Sequence, residues 1–330
     1  MEDLERVENR LDDIRTVEPI LSALRTISLG SWQAALKRKD GVRRYAERLA
    51  AALPALLSHV SLLLHPPQWG GKRGGAPMGG KGLPRAGRRA GGLTPSSPPM
   101  GGKEGGMRVV ALVVGSERGL CGRFNAAVVE RTERYLAEQE TAGAQVELIV
   151  MGTRAARIFR RREAAPASSA TLPVTGLPSY RLVFDLTRRW LARYEEYELD
   201  AVDLIHNAYH GTGRYEPAVV RLIPSTLPAP GPPDGRRSLT ELWPPPIIET
   251  DPLSLYARVV EQLTAARLYE LLLESAAAEH SARFQLMEGA TQNVERLIEE
   301  LTLAVQTARQ QAITQEMQEL AAGAGLIGPR

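Results

Sequence analysis

The feature that most constrains this chain is a long proline-free stretch, Leu253–Gly323, which follows directly on Asp251 and Pro252. Aspartate and proline at this place predict the beginning of a helix, and a glycine predicts its end. At about 1.5 Å per residue, such a helix is on the order of 100 Å long, far more than one globular core covers. It therefore needs a partner along its length.

Both ends of the chain repeat small and apolar residues in steps of three and four, the spacing of a coiled-coil seam. In the C-terminal stretch, where His280 fills one gap, the seam is Leu273, Ala277, Phe284, Met287, Ala290, Val294, Ile298, Leu301, Val305, Ala308 and Ala312. The N-terminal segment, predicted to be helical from Glu2 to about Leu64, has a seam of Leu4, Val7, Leu11, Ile14, Val17, Leu21, Leu24 and Ile27. These seams predict an intramolecular antiparallel pair; the alternative is a homodimeric coiled coil.

Composition excludes several classes of protein. The formal net charge of +3 is small for 330 residues, so the chain as a whole gives no case for nucleic-acid binding. A single cysteine, Cys121, excludes an intramolecular disulfide and suits a reducing cytosol. The acidic Met1–Glu5 does not resemble a signal peptide, and the most apolar stretch, Leu49–Leu64, is too short to cross a bilayer. We expect a soluble protein that can sit beside a membrane.

The segment Pro66–Gly106 differs from both of its neighbours because it is rich in glycine and proline. Against one acid, Glu104, it carries seven basic residues: Lys72, Arg73, Lys81, Arg85, Arg88, Arg89 and Lys103. Such a segment cannot bury enough surface to offset its ordering entropy, so it is predicted to be a disordered linker. The alternative is contact with anionic lipid headgroups or an acidic partner.

Residues 108–224 alternate between strand and helix patterns, which predicts a small α/β domain. Two apolar strands, Arg108–Gly115 and Gln145–Met151, flank the helix Asn125–Glu140, which implies a parallel pair with a right-handed crossover. The remaining predicted elements are two helices and a hairpin of two strands: Thr153–Arg162, Tyr180–Tyr197, Asp200–Tyr209 and Tyr215–Pro224.

The loop Gly115–Gly122 follows a strand and precedes a helix, which is where phosphate-binding loops occur. Its glycine spacing matches neither the phosphate-loop nor the dinucleotide pattern, so a tight turn with positive φ is favoured over nucleotide binding. Cys121 stands near a helix start, where a thiol can be reactive. No histidine is near it in sequence, and a structural role is favoured.

The histidines do not form an evident catalytic or metal site. His206 and His210 lie on a strand and its turn, too far apart to share one metal ion without bending. His280, beside Glu279 within the long helix, is expected to be packed. Since no carboxylate pair or nucleophile–base set stands out either, we predict no metal, no cofactor and no catalysis by this chain.

Several of these stretches resemble one family. The segment 274–320, ESAAAEHSARFQLMEGATQNVERLIEELTLAVQTARQQAITQEMQEL, closely resembles the end of the gamma subunit of F-type ATP synthases. Gly119–Gly122 with Asn125, the strand ending in Val220–Pro224 and the helix beginning Arg10–Ile14 also fit this family. The resemblance covers nearly the whole chain outside Pro66–Gly106.

The resemblance implies a mixed α/β fold, in which a long antiparallel coiled coil of the N- and C-terminal helices carries a central Rossmann-like α/β domain. The segments would be an N-terminal coiled-coil helix (1–65), a disordered basic insertion (66–107), an α/β foot (108–250) and a C-terminal coiled-coil helix (251–330). Gly323–Ile327 would form the tip.

The resemblance also implies a function. The chain would be the central-stalk rotor of a proton- or sodium-translocating ATP synthase, standing inside a hexamer of alpha and beta subunits. With an epsilon subunit, its foot would rest on the membrane c-ring at the cytoplasmic face of a bacterial plasma membrane. Rotation would drive the catalytic beta subunits through states of different nucleotide affinity. ATP chemistry would take place on those subunits and not on this chain.

The family's functional positions carry over where its motifs survive. Contacts to the alpha and beta subunits are expected from Arg283, Arg309, Gln310, Thr314, Glu316 and Leu24. The foot-domain turn is expected to comprise Gly119, Leu120, Cys121, Gly122 and Asn125. Charged and amide groups on a helix suit such contacts because they can exchange hydrogen bonds as their surroundings rotate.

The N-terminal helix departs from the family pattern. Several lysines are absent, acids stand at Asp12, Asp13 and Glu18, and Leu24 replaces a methionine. Pro19 within a helix is expected to cost about 3 kcal/mol or to force a kink. These departures put torque transmission through this helix in question. Two other classes of function stay open: a divergent scaffold or regulator that assembles the complex without efficient torque transmission, and a nucleotide-binding α/β enzyme.

Overall fold

A computed structural model of the chain describes residues 2–64, 106–162, 166–172, 177–225 and 248–324. The predicted insertion, apart from Gly106 and Met107, and the predicted tip beyond Ala324 lie outside these residues. In chain order the elements are α1 Glu2–Leu64, β1 Arg108–Val114, α2 Phe124–Thr141, β2 Gln145–Met151, α3 Thr153–Arg161, β3 Ser168–Ala170, α4 Tyr180–Glu195, β4 Ala201–Gly211, β5 Arg214–Ile223 and α5 Pro252–Gly323.

The two long helices, α1 with 63 residues and α5 with 72, form an antiparallel pair. Asp251 caps the start of α5, as predicted: its carboxylate accepts a hydrogen bond from the backbone N–H of Ser254 at 2.9 Å. The antiparallel order follows from three ion pairs between the helices, Glu8–Arg309 at 2.6 Å, Arg25–Glu288 at 3.0 Å and Lys39–Glu274 at 2.9 Å. The predicted intramolecular coiled coil is therefore confirmed.

The seam of α1 follows a strict heptad that the sequence pattern only partly identified. One seam position recurs as Leu4, Leu11, Glu18, Arg25, Trp32, Lys39, Ala46 and Leu53, all buried or half-buried. The other recurs as Val7, Ile14, Leu21, Ser28, Ala35, Val42, Leu49 and Leu56, also buried or half-buried.

Two residues predicted to lie in the α1 seam do not lie there. Val17 is 43% and Ile27 52% exposed, because the heptad passes through their neighbours Glu18 and Ser28. The Ser28 hydroxyl is satisfied within the helix, donating to the Leu24 carbonyl at 2.7 Å, so it can be buried without a partner on α5. The prediction for Val17 and Ile27 was wrong because it sought apolar residues only.

On α5 the predicted seam is nearly complete, and the buried Thr291 takes the position that was expected for the half-buried Ala290. Helix α1 continues through both Pro19 and Pro54, so neither proline ends it. Pro19 is exposed and points away from the seam, where its ring meets solvent and not α5.

The α/β domain is a five-stranded sheet in the order β3-β2-β1-β4-β5. Its first four strands are parallel, and β5 pairs antiparallel with β4. Helices α2 and α3 cover one face through residues such as Val128 and Phe159, and α4 and α5 cover the other through Trp190 and Leu272. The short strand β3 was not predicted, and the β4–β5 connection is tighter than expected, since only Thr212 and Gly213 lie between the strands.

Candidate functional site

The loop between β1 and α2 is organised by one amide side chain. Asn125 accepts a hydrogen bond from the Ser116 backbone N–H at 2.9 Å and donates to the Ser116 hydroxyl at 2.8 Å. Leu120 and Gly122 have positive φ angles of 62° and 59°, which lets the chain reverse direction before α2. The five residues predicted for the foot-domain turn are thus brought together as one structural unit.

Cys121 has a packing role in this turn. It is 3% exposed and lies in an apolar cluster with Phe124 and Ala278, the latter on α5. Burial raises the pKa of the thiol, so the reactive thiolate is disfavoured. The favoured interpretation of Cys121 as structural agrees with this environment.

The turn is joined to α5 by Arg283. The guanidinium donates to the carbonyls of Gly119 at 3.2 Å and Arg118 at 3.5 Å, and it pairs with Glu279 at 2.5 Å. A phosphate site needs N–H donors, whereas this turn directs carbonyl oxygens at a guanidinium. We call Arg283, Glu279, His280 and the carbonyls of residues 118 and 119 the foot lock.

Electrostatics keep the His280 ring of the foot lock neutral at neutral pH. Burial, with a contribution from the Arg283 charge, lowers the pKa of His280 to about 4. The neutral ring can therefore accept a hydrogen bond through Nδ1, which lies 3.1 Å from the Arg283 guanidinium. Burial raises the pKa of Glu279, and Arg283 opposes this shift.

Arg283 was expected to contact the alpha and beta subunits, and its position does not fit that expectation. The residue is 6% exposed, and its hydrogen bonds join two parts of the same chain. It is therefore a link between the shaft and the foot and not part of an outer surface.

The crevice beyond the carboxyl ends of the strands, where α/β folds usually bind ligands, is largely filled by α5. What remains is a narrow cleft lined by Val114, Gly115, Glu117, Leu172, Pro178, Leu272, Ser275, Ala276, Glu279 and His280. Burial acts to raise the pKa of the Glu117 carboxyl, but hydrogen bonds from Thr153 and Leu172 outweigh this effect. The net result is a lowered pKa. This carboxylate is thus engaged at the start of α3 and not free for a ligand.

A second connection between shaft and foot involves Lys39, Glu274 and the backbone of β4. Glu274 pairs with Lys39 and also accepts from the Tyr209 backbone N–H at 3.3 Å. Trp32 packs against Tyr209 and Phe284, with ring centroids 6.2 and 5.9 Å away. One ion pair and one aromatic cluster therefore fix α1, α5 and the sheet together.

The side chain of His206 faces this connection and does not face His210. It is 1% exposed, neither ring nitrogen has a hydrogen-bond partner, and burial lowers its pKa to about 4. His210 is exposed. Among the described residues, no three His, Cys, Asp or Glu side chains are grouped so that they could hold a metal ion.

Sequence reasoning missed a buried polar network on β4. Asp203 is 2% exposed; it accepts from the Tyr135 hydroxyl at 2.6 Å and from two nitrogens of Arg221 at 2.5 and 2.8 Å. Burial, followed by the hydrogen bond to Asp203, raises the pKa of Tyr135. The available signal was an acid inside a buried strand, which requires a partner.

The predicted contact residues near the end of α5 lie on an open surface. Gln310, Thr314 and Glu316 are exposed, and Arg309 is exposed although it pairs with Glu8. Leu24, on α1, is half-buried. The same region exposes several large apolar side chains: Val17, Ile20, Leu303, Ile313, Met317 and Leu320.

Helix α5 extends beyond its partner. Because Glu8 lies level with Arg309, the first residues of α1 reach only to about residue 315 of α5. The last two turns, which include Met317 and Leu320, therefore project past α1 with these side chains 65% and 68% exposed.

A family model described as ATP synthase matches residues 3–325. The chain belongs to this family. Curated relatives named "ATP synthase gamma chain" include one from Rubrobacter xylanophilus, 30% identical over 98% of each chain. Another, from Granulibacter bethesdensis, is 29% identical over 98% of this chain and 99% of the relative. The resemblance to gamma subunits is thus confirmed.

Solved structures agree on the fold. The chain matches one in the rotor of the Euglena gracilis mitochondrial ATP synthase with a TM-score of 0.53 at 14% identity, over 94% of this chain and 99% of that one. A second Euglena structure, of the OSCP/F1/c-ring assembly, matches with a TM-score of 0.55 at 15% identity, over 100% and 98%. Within the described residues, no helix of this ATP synthase family member combines the length and hydropathy that a membrane crossing requires.

Proposed function

We propose that this chain is the rotor of the central stalk, which couples the turning of a c-ring to conformational changes in catalytic beta subunits. The observation that carries the proposal is the long α1–α5 pair. This pair forms a slender shaft that extends from the foot and ends in an exposed, asymmetric surface. A shaft can transmit torque only if its two helices cannot slide past each other. The ion pairs Glu8–Arg309, Arg25–Glu288 and Lys39–Glu274 oppose such sliding.

The proposed contacts of the rotor come from the family resemblance, and the exposure of the upper shaft supports them. Arg309, Gln310, Thr314, Glu316 and Leu24 would meet the alpha and beta subunits, and the projecting end of α5 would enter their central bearing. The foot, residues 108–250, would rest on the c-ring with an epsilon subunit, at the cytoplasmic face of a bacterial plasma membrane. Proton or sodium flow would drive the rotation of the c-ring and of this chain. Catalysis would belong to the beta subunits, and the basic insertion 66–107 would remain a linker.

The foot lock has a defined place in this function. Torque that enters at the foot must reach α5, and Arg283 is the buried group that joins the foot-domain turn to that helix. Glu274 and Lys39 provide the parallel route to α1. The foot and shaft would then turn as one body.

Co-expression with the alpha and beta subunits of the same genome tests the proposal. A hexamer with one central stalk, and ATP hydrolysis that depends on several sites, is expected. Electron microscopy of the purified complex shows the stalk, and an ATPase assay shows the turnover. A hexamer that excludes this chain, or that contains it but does not turn over ATP, would contradict the rotor function.

The second candidate is an assembly or regulatory subunit that does not transmit torque efficiently. It is favoured by one feature, the Pro19 region of α1, where Asp12, Asp13 and Glu18 add negative charge to the upper shaft. Replacing Pro19 by alanine separates the two: a rotor limited by this site gains coupled ATP turnover, whereas a scaffold shows no change.

A further inference from the structure

Helix α3 carries a row of arginines on its outer side. Arg154, Arg157, Arg160 and Arg161 are exposed, and their spacing places them along one side of the helix. The opposite side, with Ala155, Ala156 and Phe159, is buried in the core of the foot. We call these four exposed side chains the arginine row. Because the apolar side is already used inside the domain, the row is the part of α3 that is available to a partner.

No acid neutralises the arginine row within the described residues. None of the four guanidinium groups forms an ion pair there, and the nearby acids of α2 bind other residues: Glu133 pairs with Arg162 at 2.7 Å and Glu130 with Arg123 at 3.2 Å. Glu117, at the start of α3, accepts hydrogen bonds from Thr153 and Leu172. The sequence adds little compensation, since Glu163 is the only acid between Leu148 and Phe184.

We propose that the arginine row binds the phosphate groups of anionic lipids at a membrane surface. Guanidinium groups bind phosphate oxygens in a paired geometry, and each basic side chain near an anionic bilayer adds to the attraction. The outer side of α3 has no exposed large apolar residue among Thr153–Arg161. A protein interface usually has an apolar or aromatic centre, so a purely cationic surface fits a headgroup layer better.

The course of α3 places two members of the row toward one edge of the sheet. Strands β2 and β3 are parallel, so α3, which connects them, runs back toward the end of the sheet where the strands begin. Arg160 and Arg161 therefore lie toward the edge at which β1 starts and β5 ends. This inference depends on the foot domain alone, and failure of the rotor test would leave it standing.

Vesicle flotation with the full-length chain tests the proposal. The vesicles contain either phosphatidylcholine alone or phosphatidylcholine mixed with phosphatidylglycerol, whose anionic headgroups attract basic segments. Binding is expected only to the anionic vesicles and is expected to weaken strongly as salt rises, since the Debye length shortens. The variant R154Q/R157Q/R160Q/R161Q should need at least about tenfold more lipid for half-maximal binding.

Two further variants make the result specific. The control variant R38Q/R44Q/R181Q/R189Q removes four exposed arginines from α1 and α4, so its net charge equals that of the row variant. It should nevertheless bind within about twofold of the unchanged chain. The four-lysine version of the row should retain binding, because lysine also attracts phosphate. Circular dichroism checks that each variant is folded.

Four results would overturn the proposal. One is the absence of binding to anionic vesicles by the unchanged chain. Another is equal loss in the row variant and the control variant, which would indicate a response to net charge alone. The third is full binding by the row variant combined with its loss on deletion of residues 66–105, which would assign lipid binding to the insertion. Tighter binding to a duplex DNA than to vesicles, lost in the row variant, would replace the lipid by a nucleic acid.

Discussion

The lower and upper parts of α5 belong to one continuous helix but have different surroundings. Between Thr264 and Arg283 only Arg267 is exposed, because α1, α4 and the sheet surround the helix. Between Gln292 and Gly323 only Val305 is buried, and the ion pair that Arg309 forms in this part joins it to Glu8 of α1. The lower part is therefore held by its own chain, while the upper part has most of its surface uncovered.

The foot lock should produce the largest difference between these two parts. Replacing Arg283 by methionine leaves Glu279 buried without its cation, which is expected to lower the free energy of unfolding by about 3–5 kcal/mol. Urea denaturation of the full-length chain measures this change. The matched control is Arg309→Met on the upper shaft, where the pair with Glu8 is exposed and the expected loss is under about 1 kcal/mol. Equal losses at the two sites would remove the distinction.

Apolar truncation compares the same two regions without charge. Leu272, 1% exposed, lies between α5 and the sheet, so Leu272→Ala should lower the free energy of unfolding by about 2–5 kcal/mol. Leu303, 68% exposed, should lose no more than about 0.5 kcal/mol on the same replacement. Thermal and urea unfolding of both variants provide the measurement. A large loss at Leu303 would indicate that the upper shaft is packed more tightly than its exposure implies.

The contrast between the regions also explains what the sequence could predict. In the upper part, the seam alternates with polar residues, so its period is readable and Val294, Ile298 and Leu301 were identified correctly. In the lower part, Leu271, Leu272 and Leu273 are adjacent and all buried. A helix that is covered on every side has no amphipathic period, and its neighbours cannot be assigned from the pattern.

The foot lock and the heptad of α1 were beyond such patterns for different reasons. The acceptors of Arg283 are carbonyls more than 160 residues away in sequence, and carbonyls have no residue signature. The α1 seam also contains the polar residues Glu18, Arg25 and Ser28. Each is half-buried or has its polar group satisfied by a partner, and a count of apolar residues does not detect such positions. The short strand β3 exists because it pairs with β2, and its residues Ser168–Ala170 have no strand preference of their own.

Acid should destabilise the chain through two buried histidines, His280 in the lower part of α5 and His206 on β4. His206 and His280 have pKa values of about 4 in the folded chain, below the usual 6.5, so the unfolded chain binds more protons between these values. The stability contribution is fully present above pH 6.5 and is lost as the pH falls toward 4, by up to about 3 kcal/mol for each histidine. Urea unfolding as a function of pH measures the slope. His206→Leu should remove the contribution of about one proton from the slope of the unfolding free energy against pH. His210→Leu, at an exposed position, should leave this slope unchanged. Equal effects of the two replacements would contradict the burial of His206.

The tip of the β4–β5 hairpin marks the boundary between the two parts. Gly213 has a φ of 65°, and a Cβ added there would clash with the side-chain oxygen of Gln285 on α5. Gly213→Ala is therefore expected to cost about 1–2 kcal/mol, partly from the backbone and partly from displacing Gln285. The double variant G213A/Q285A should recover the contact component, since the displaced side chain is gone. If the double variant is no more stable than G213A, the cost is due to the backbone alone.

The smallest expected effect belongs to the ion pair that closes the upper shaft. Glu8 and Arg309 are 36% and 62% exposed, so solvent screens their attraction and a double-mutant cycle should give a coupling of about 0.2–1 kcal/mol. The coupling should fall as salt is raised, because exposed charges are screened. The cycle uses E8Q, R309Q and the double variant, measured by urea unfolding at two salt concentrations. A salt-independent coupling above about 2 kcal/mol would mean that the upper shaft is as strongly self-supported as the foot lock, and the difference between the two parts of α5 would then lie in exposure alone.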